Sequence, residues 1–457
     1  MTNYDEFLTT KQDFGASCGF DPLFMPDSLF DFQQALTEWA IRKGRAAIFA
    51  DCGMGKTLMQ LVWAENVVRH TNKPVLILTP LAVSGQTIEE AEKFGMVARR
   101  AIPGVNGSPA IKVTNYEQLH HYDARHFAGV VCDESSILKN FRGTRKTQIT
   151  EFMRRVPYRL LCTATAAPND WEELGTSSEA LGYLGYTDML TRYFTNKSNT
   201  VATRRFQNNR DKFNLRAHAA HDFWRWTVSW SRAARYPADL GFDNDGFILP
   251  ALIEKDEMVY ATRPRQGMLF DVAPTTFHEV QELIRRTVPE RCEAAAEKVA
   301  QHDVSMVWCH RNDEATLLKD LIPNSVEISG SDSEEARVEA VRWFKSGAES
   351  KRVLISKPRI FGLGLNFQHC AHATYFPTDS YEQYYQATRR LWRFGQEKQV
   401  QIDRIYTDGG ERILDNLDRK AENAVKMFEL QVKYMNDALS VRNVYKPQAV
   451  EVPAWLK

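Results

Sequence analysis

The residues most able to do chemistry lie first in a short loop, residues 50–57, with the sequence ADCGMGKT. Two glycines, Gly53 and Gly55, would let the backbone turn its N–H groups toward phosphate oxygens. Lys56 could neutralise the β- and γ-phosphates of ATP, and the hydroxyl of Thr57 could hold Mg²⁺. Alanine stands at the first position, where the usual pattern has glycine, and a residue this small should be tolerated. The sequence therefore predicts a phosphate-binding loop, with an ordinary glycine-containing turn as the alternative.

Two acidic residues, Asp133 and Glu134, end the apolar run at residues 130–132. Asp133 could complete a Mg²⁺ site opposite Thr57, and Glu134 could orient or deprotonate a water that attacks the γ-phosphate. Such a pair is often only a solvated turn at the end of a strand. Because it lies downstream of a predicted phosphate-binding loop, we interpret both residues as catalytic.

A third group lies far along the chain, in the segment QATRRLWRFGQ at residues 386–396. The pattern predicts a helix that exposes Arg390 and Arg393 on one face, since residues three apart are neighbours on a helix. Guanidinium groups of this kind stabilise charge that develops on a γ-phosphate. The alternative is a solvated basic face. If Lys56 and the two arginines hold one ATP from opposite sides, binding would close two lobes and hydrolysis would release them.

These groups must be positioned by regular elements, and short apolar runs separated by amphipathic segments occur in two series. Apolar runs that alternate with helices are typical of parallel sheets buried on both faces. We therefore predict an α/β protein with two parallel-sheet lobes in tandem. The predicted strands cover residues 46–49, 75–79, 111–114, 129–132 and 160–163 in the first series, and 305–309, 325–328, 353–356, 373–376 and 400–406 in the second.

A chain of 457 residues is too long for one compact core, so several units are expected. In the connector between the lobes, the helical spacing of Phe223, Trp226 and Trp230 favours core packing over stacking on a nucleic-acid base. A helix is predicted over residues 411–434. The predicted units are an N-terminal extension (1–24), an ATP-binding lobe (25–175), a mostly helical insertion and connector (176–270), a second lobe (271–410), and a C-terminal helix and tail (411–457).

The formal net charge is zero, so a polyanionic partner would have to be held by a local basic patch. We predict this patch between residues 192 and 216, with Arg204 and Arg205 as nucleic-acid contacts. The alternative is a solvated loop. The basic residues of the stretch are Arg192, Lys197, Arg204, Arg205, Arg210, Lys212 and Arg216.

The seven cysteines include no CxxC pair, which favours reduced thiols in the cytosol over a disulfide framework or a zinc site. The N-terminal sequence lacks a basic and then apolar signal pattern, and no apolar stretch approaches the roughly 18 residues of a membrane span. We expect a cytoplasmic protein with no membrane partner.

Taken in order along the chain, the motifs resemble the Swi/Snf-like branch of superfamily-two helicases, the DEAD/DEAH-type nucleic-acid motors. The resemblance implies two RecA-like lobes and an ATP hydrolase that acts on duplex or branched DNA without sequence preference. It also includes Gly330, Arg337 and Phe344, at the positions of the family's G…R…F pattern. The strings that carry it include "DESSILKN", which resembles the DEAH box with its Lys-Asn signature, "CTATAAPND" for motif III, "FGLGLNFQ" for motif V and "RRLWRFGQ" for motif VI.

The resemblance also implies roles for residues outside these central motifs. Gln33 resembles the glutamine that reads adenine, and Thr163, Thr165 and Gln386 would couple hydrolysis to lobe movement. We expect a monomer, located in the cytoplasm of the bacterial host if the chain is encoded by a bacteriophage. The implied nucleic-acid contacts are Thr79, Pro80, Thr114, Asn115, Lys139, Gly362 and Asn366.

The sequence departs from the family pattern at two places. Ser135 and Ser136 replace Ala-His after the paired acids, and Arg389 and Trp392 replace Gly and His in motif VI. The string "SRAARYPADLGFDNDGFILP" resembles compact bacteriophage and prophage members, which suggests a role in phage DNA replication or recombination. Two other functions stay open, namely RNA remodelling and a host-directed binding protein built on this scaffold.

Overall fold

The computed structural model describes residues 17–104, 110–139, 143–196, 213–262, 277–347, 350–361 and 366–444. Within these ranges the strands form a seven-stranded sheet, a six-stranded sheet and a two-stranded hairpin. Every strand pair in the two large sheets is parallel. The prediction of an α/β protein with two tandem parallel-sheet lobes is confirmed.

The first sheet is built from the N-terminal half of the chain. Its strands are β1 (Arg45–Ala50), β2 (Val75–Thr79), β3 (Ala98–Arg100), β4 (Ile111–Asn115), β5 (Gly129–Asp133), β6 (Tyr158–Thr163) and, after the hairpin strands β7 (Phe194–Asn196) and β8 (Phe213–Leu215), β9 (Ser231–Ala234). Their spatial order is β3-β4-β2-β5-β6-β1-β9. The helices are α1 (Asp31–Lys43), α2 (Lys56–Thr71), α3 (Ser84–Lys93), α4 (Thr144–Arg154), α5 (Leu174–Leu181), α6 (Tyr186–Tyr193) and α7 (Ala220–Trp230).

Strand β1 shows why this half folds as a sheet covered on both faces. Its alternate residues Ala47 and Phe49 lie in one hydrophobic core, while Ile48 and Ala50 lie in the core on the opposite face. All four are fully buried. Complete burial of a side chain as large as Phe49 stabilises the fold by about 1.5–3 kcal/mol. The strand that leads into the predicted phosphate-binding loop is therefore packed on both faces.

The second sheet is built from the C-terminal half. Its strands are β10 (Leu252–Val259), β11 (Val304–Trp308), β12 (Ser325–Ile328), β13 (Arg352–Ser356), β14 (His372–Tyr375) and β15 (Val400–Thr407). Their spatial order is β10-β15-β14-β11-β13-β12. The helices are α8 (Phe277–Arg286), α9 (Val288–Ala300), α10 (Asn312–Leu321), α11 (Glu334–Ser346), α12 (Pro358–Phe361), α13 (Tyr381–Thr388) and α14 (Glu411–Val444).

The connector region adds an edge strand to each sheet, since β9 pairs with β1 and β10 pairs with β15. Helix α7 of this region is packed inward: Phe223, Trp226 and Trp230 are 0%, 4% and 0% exposed, so the core-packing interpretation of these aromatic residues is confirmed. Helix α14 joins both halves, with Leu417 in a core of the second lobe and Met427 in a core of the first. The two lobes are therefore tied together by α14 as well as by the connector.

All seven cysteines are free thiols, and five of them are buried. Within the described ranges, no helix combines the length and the apolar character that a membrane crossing requires.

Candidate active site between the two lobes

The carboxyl ends of the first sheet bring several of the predicted residues to one edge. In the strand register, Phe49 of β1 lies beside Thr163 of β6, and Thr79 of β2 lies beside Asn115 of β4. Asp133 ends β5, which lies between β2 and β6. Ligands of parallel α/β sheets bind outside this edge, because loops and helix N-termini converge there.

Ala50 shows why the first glycine of the usual loop pattern can be absent. It is the last residue of β1 and is paired with Ala234 of β9, so it has an extended backbone. The N–H of Asp51 then donates to the carbonyl of Ala234 at 3.0 Å. Since the turn begins only after this point, the position does not need the conformational freedom of glycine.

Gly55 is required by its conformation and by a neighbour. Its φ angle is 76°, in the left-handed region, and it precedes the first residue of α2. A Cβ atom there would lie 2.1 Å from Nε2 of Gln33. Gln33 is buried on α1, donates to the carbonyl of Met54 at 3.0 Å and accepts from the N–H of Phe30 at 3.1 Å. Gln33 therefore supports the predicted phosphate-binding loop through its hydrogen bond to Met54.

Lys56 and Thr57 follow at the start of α2. The ammonium group of Lys56 donates to the carbonyls of Ala50 at 2.9 Å and Asp51 at 3.2 Å, and so folds back over the beginning of the loop. Thr57 lies near the carboxyl group of Glu90 of α3. Burial raises the pKa of Glu90, while its hydrogen bonds lower it. The half-buried Thr57 is thus placed in the first turn of α2, beside the acid Glu90.

The paired acids have different surroundings. Asp133 is 7% exposed and accepts a hydrogen bond from Nε2 of Gln60 at 2.7 Å. Burial, reinforced by the charge of Glu134, raises the pKa of Asp133 to about 6. Glu134 has a φ angle of 52° and accepts from the Thr163 hydroxyl at 3.2 Å. That hydroxyl in turn accepts from the N–H of Thr165 at 3.0 Å, so both predicted coupling threonines support Glu134.

The predicted helical face that exposes Arg390 and Arg393 is wrong in two respects. Helix α13 ends at Thr388, and residues 389–395 form turns and bends. Arg390 is 6% exposed, and its carbonyl accepts from the N–H of Phe367 at 2.9 Å. Packing against the rest of the protein therefore overrides the local helical preference. Burial lowers the pKa of Arg390 to about 10, while the nearby charges of Glu134 and Asp133 act in the opposite direction.

The two lobes touch at the predicted phosphate-binding loop itself. Gly53 has a φ angle of 90°, and a Cβ atom on it would lie 3.0 Å from Cβ of Phe394 in the second lobe. Asp51 of the same loop accepts hydrogen bonds from Arg389 and from the hydroxyl of Tyr385. The loop of the first lobe and the turn of the second are thus in direct contact.

The residues that the resemblance assigns to nucleic acid are placed in different surroundings. Thr79 is fully buried and Thr114 is 6% exposed, whereas Pro80 is half-buried. The side chain of Asn115 accepts from the N–H of Gln118 at 3.1 Å and caps a short helix. These four residues share the carboxyl edge of the first sheet, and neither threonine side chain presents an open surface.

Lys139 and Asn366 are engaged by groups of the protein. Lys139 forms an ion pair with Glu382 of α13, which also accepts from the hydroxyl of Ser136 at 2.6 Å. The side chain of Asn366 accepts a hydrogen bond from Arg393. The coupling residue Gln386 is half-buried on α13.

Part of the predicted basic patch lies outside the described residues. Arg204 and Arg205 of this patch lie outside the described residues. Gly362 of motif V, which is not part of the patch, also lies outside them. Arg192 and Arg216 are at the base of the hairpin formed by β7 and β8, where Arg216 donates to the carbonyl of Arg192 at 3.3 Å.

Sequence reasoning missed several residues that shape the site. These are Asp51, Gln60, Glu90, Tyr385 and the partner role of Arg389. A signal was present for Gln60, which lies one helical turn after Lys56 on the same helix and can face the sheet. The contacts of Asp51 with the second lobe join residues more than 330 positions apart, and no local pattern predicts them.

The residues present fit a nucleotide with Mg²⁺. The two loop glycines have the positive φ angles that aim backbone N–H groups at an anion. Within the part of the chain that the structure describes, Nε of Arg393 is buried and has no hydrogen-bond acceptor. A phosphate oxygen would supply that acceptor, and Asp133 and Thr57 offer two oxygens to a hard cation.

Three comparisons with known proteins were made, by family profile, by sequence and by structure. No protein-family profile matches the chain, and no curated protein matches it. One similar solved structure is the SWI2/SNF2 ATPase core of Sulfolobus solfataricus in complex with dsDNA, with 17% sequence identity and a TM-score of 0.41. The match covers 91% of this chain and 98% of that chain. At this identity and score, the likeness carries no argument about activity.

Proposed function

We propose that this chain is an ATP-dependent DNA motor that hydrolyses ATP between its two lobes and so moves along or remodels duplex or branched DNA. The observation that carries the proposal is the meeting of two groups of residues at one interface. Lys56, Asp133 and Glu134 belong to the first lobe. The buried Arg390 belongs to the turn of the second lobe that contacts the loop of Lys56, through the ion pair of Arg389 with Asp51 and through Phe394 beside Gly53. Such a set is what phosphoryl transfer to water requires.

The chemistry follows from the surroundings of each side chain. Glu134 is half-buried and oriented by Thr163, so it would take the proton of the water that attacks the γ-phosphorus. Arg390 and Arg393 would stabilise the charge on the transferred phosphoryl oxygens. Asp133 and Thr57 would hold Mg²⁺, which neutralises charge on the β- and γ-phosphates when it is bound.

The link from hydrolysis to movement would use contacts that cross between the lobes. Loss of the γ-phosphate would remove the anion that Lys56 and the two arginines share, and the lobes would separate. The ion pair between Lys139 and Glu382 lies on the same inter-lobe boundary, so separation would free Lys139 for a DNA phosphate. We extend the proposal, on the sequence resemblance alone, to phage DNA replication or recombination.

ATP hydrolysis measured with and without nucleic acid tests this proposal. The full-length chain should hydrolyse ATP faster with duplex DNA than without it, and Glu134→Gln should abolish the reaction while ATP binding persists. Triplex displacement without strand separation would identify translocation on duplex DNA.

Other outcomes reject the proposal. Stimulation by structured RNA alone would make the protein an RNA-remodelling enzyme. Absence of ATP binding in the wild-type chain would favour a binding protein on a helicase scaffold.

A further inference from the structure

The contact between Asp51 and Arg389 combines two unusual positions. Asp51 is the second residue of the phosphate-binding loop, and Arg389 is one of the two departures from the family pattern in motif VI. Their side chains are 7% and 8% exposed, so the ion pair is shielded from water. Arg389 donates to Oδ2 of Asp51, and the hydroxyl of Tyr385 donates to Oδ1. Both carboxylate oxygens of a loop residue in one lobe are therefore held by the other lobe.

The second departure, Trp392, fixes the position of the arginine. The guanidinium group of Arg389 lies 4.3 Å from the ring centroid of Trp392 and 5.3 Å from that of Tyr385. Nε1 of Trp392 donates to the carbonyl of Pro250 at 2.6 Å, just before β10. Stacking between aromatic rings and a carbonyl anchor pre-organises the guanidinium before it meets Asp51. The two departures thus act as one unit.

Because Asp51 lies in the predicted phosphate-binding loop, its pairing with Arg389 affects how well the loop can bind an anion. A carboxylate in a loop that binds phosphates repels them, and burial makes the repulsion stronger than it would be in water. Oδ1 of Asp51 also accepts from the N–H of Cys52 at 2.6 Å, so the aspartate fixes the backbone of the loop. Arg389 supplies the positive charge that allows Asp51 to keep this structural role next to polyphosphate.

We propose that Arg389 is a positioning residue that neutralises Asp51 and ties the phosphate-binding loop to the second lobe, so that ATP affinity depends on the docking of the two lobes. The inference rests on the proposed function in one respect, which is that the loop binds ATP. It does not depend on DNA or on hydrolysis. Loss of Arg389 leaves a buried, uncompensated carboxylate in the loop. Asp51→Asn removes the negative charge and with it the need for the arginine, while an amide oxygen can still accept from the N–H of Cys52.

The test is an equilibrium titration of the full chain with a fluorescent ATP analogue and Mg²⁺. Arg389→Ala should weaken binding about tenfold or more, and Asp51→Asn should change it by less than about threefold. The double variant Asp51→Asn/Arg389→Ala should bind within about threefold of wild type. A merely structural role of Arg389 would not give this recovery, because the second substitution removes a further contact.

Two further variants keep the test decisive. Arg389→Lys retains the charge without the planar guanidinium group that lies over the Trp392 ring, and should fall between wild type and Arg389→Ala. Arg419→Ala removes an exposed arginine of α14 and should bind as wild type does. If Arg389→Ala does not fold, as judged by circular dichroism, Arg389→Lys and its pairing with Asp51→Asn provide the same comparison.

The inference is overturned if the arginine variants bind as wild type does, or if Asp51→Asn fails to restore affinity. Failure of the proposed function gives a different result, since the wild-type chain itself would then not bind the nucleotide. A tenfold loss of affinity in Arg389→Ala, with recovery in the double variant, supports both ATP binding by the loop and the neutralisation of Asp51 by Arg389.

Discussion

Substitution of Gly55 by alanine probes how tightly the phosphate-binding loop is specified. The position has a φ angle of 76°, and the new Cβ would lie 2.1 Å from Nε2 of Gln33. A residue other than glycine in the left-handed region costs about 1–2 kcal/mol. Gln33 can move away only by giving up its hydrogen bond to Met54, which costs about 1 kcal/mol. The expected loss of stability is therefore about 2–3 kcal/mol.

Two other glycines separate these contributions. Gly95 has a φ angle of 72°, and a Cβ atom added to it would meet no other atom within 4 Å, so Gly95→Ala should lose only the conformational part, about 1–2 kcal/mol. Gly85 lies near the start of α3 with the same open space and no positive φ angle. Gly85→Ala should be neutral or stabilising by up to about 1 kcal/mol.

The assay is thermal unfolding of the three variants beside the wild-type chain. One kcal/mol corresponds to about 2–4 °C for a lobe of 150–250 residues, so Gly55→Ala should lower the midpoint about 2–4 °C further than Gly95→Ala. Gly55→Ala should also lose affinity for the fluorescent ATP analogue, and the other two should keep it. Equal midpoints for Gly55→Ala and Gly95→Ala would refute the role assigned to Gln33.

Two further predictions concern charge. Glu382 competes with DNA phosphates for Lys139, so Glu382→Gln should tighten binding to duplex DNA about threefold to tenfold at fixed salt, and Lys139→Ala should weaken it. A filter-binding titration measures both affinities, and unchanged affinity in both variants would contradict this role of Glu382. Burial lowers the pKa of His310 to about 4, so the unfolded chain takes up this proton first as the pH falls below about 6.5, and the free energy of unfolding decreases between pH 6.5 and 4. Between pH 7 and pH 5, His310 should lower the free energy of unfolding by about 1–2 kcal/mol. Denaturant titrations at the two pH values should therefore show a decrease that is smaller by this amount in His310→Gln than in the wild-type chain. An identical decrease in both proteins would contradict the lowered pKa of His310.

Much of the fold could be predicted because each central strand is a continuous apolar run in the local sequence. The run that became β1 is apolar along its whole length after Arg45, which a strand buried on both faces requires. The edge strands gave weaker signals. Strand β9 has only four residues, SRAA, with no large apolar side chain, although all four are buried. Strand β10 has the charged sequence LIEKDEMV, and its residues 254–256 are exposed, as an edge strand allows.

In the candidate site too, features set by the local sequence could be predicted, and features set by distant contacts could not. The conformations of Gly53 and Gly55 are encoded in the loop itself, so sequence alone predicts them. The turn that carries Arg390 follows a helix that stops at Thr388, and this depends on contacts with Phe367 and with the first lobe. Likewise, nothing near Asp51 in the sequence indicates that its partner is Arg389.

The central claim is that residues of both lobes act on one triphosphate, and Arg390→Ala tests it most directly. Single-turnover ATP hydrolysis should be measured with saturating duplex DNA, with Arg419→Ala as the matched control. The account predicts that Arg390→Ala still binds ATP but hydrolyses it about 10³-fold or more slowly, while Arg419→Ala keeps the wild-type rate. A wild-type rate in Arg390→Ala would contradict the account.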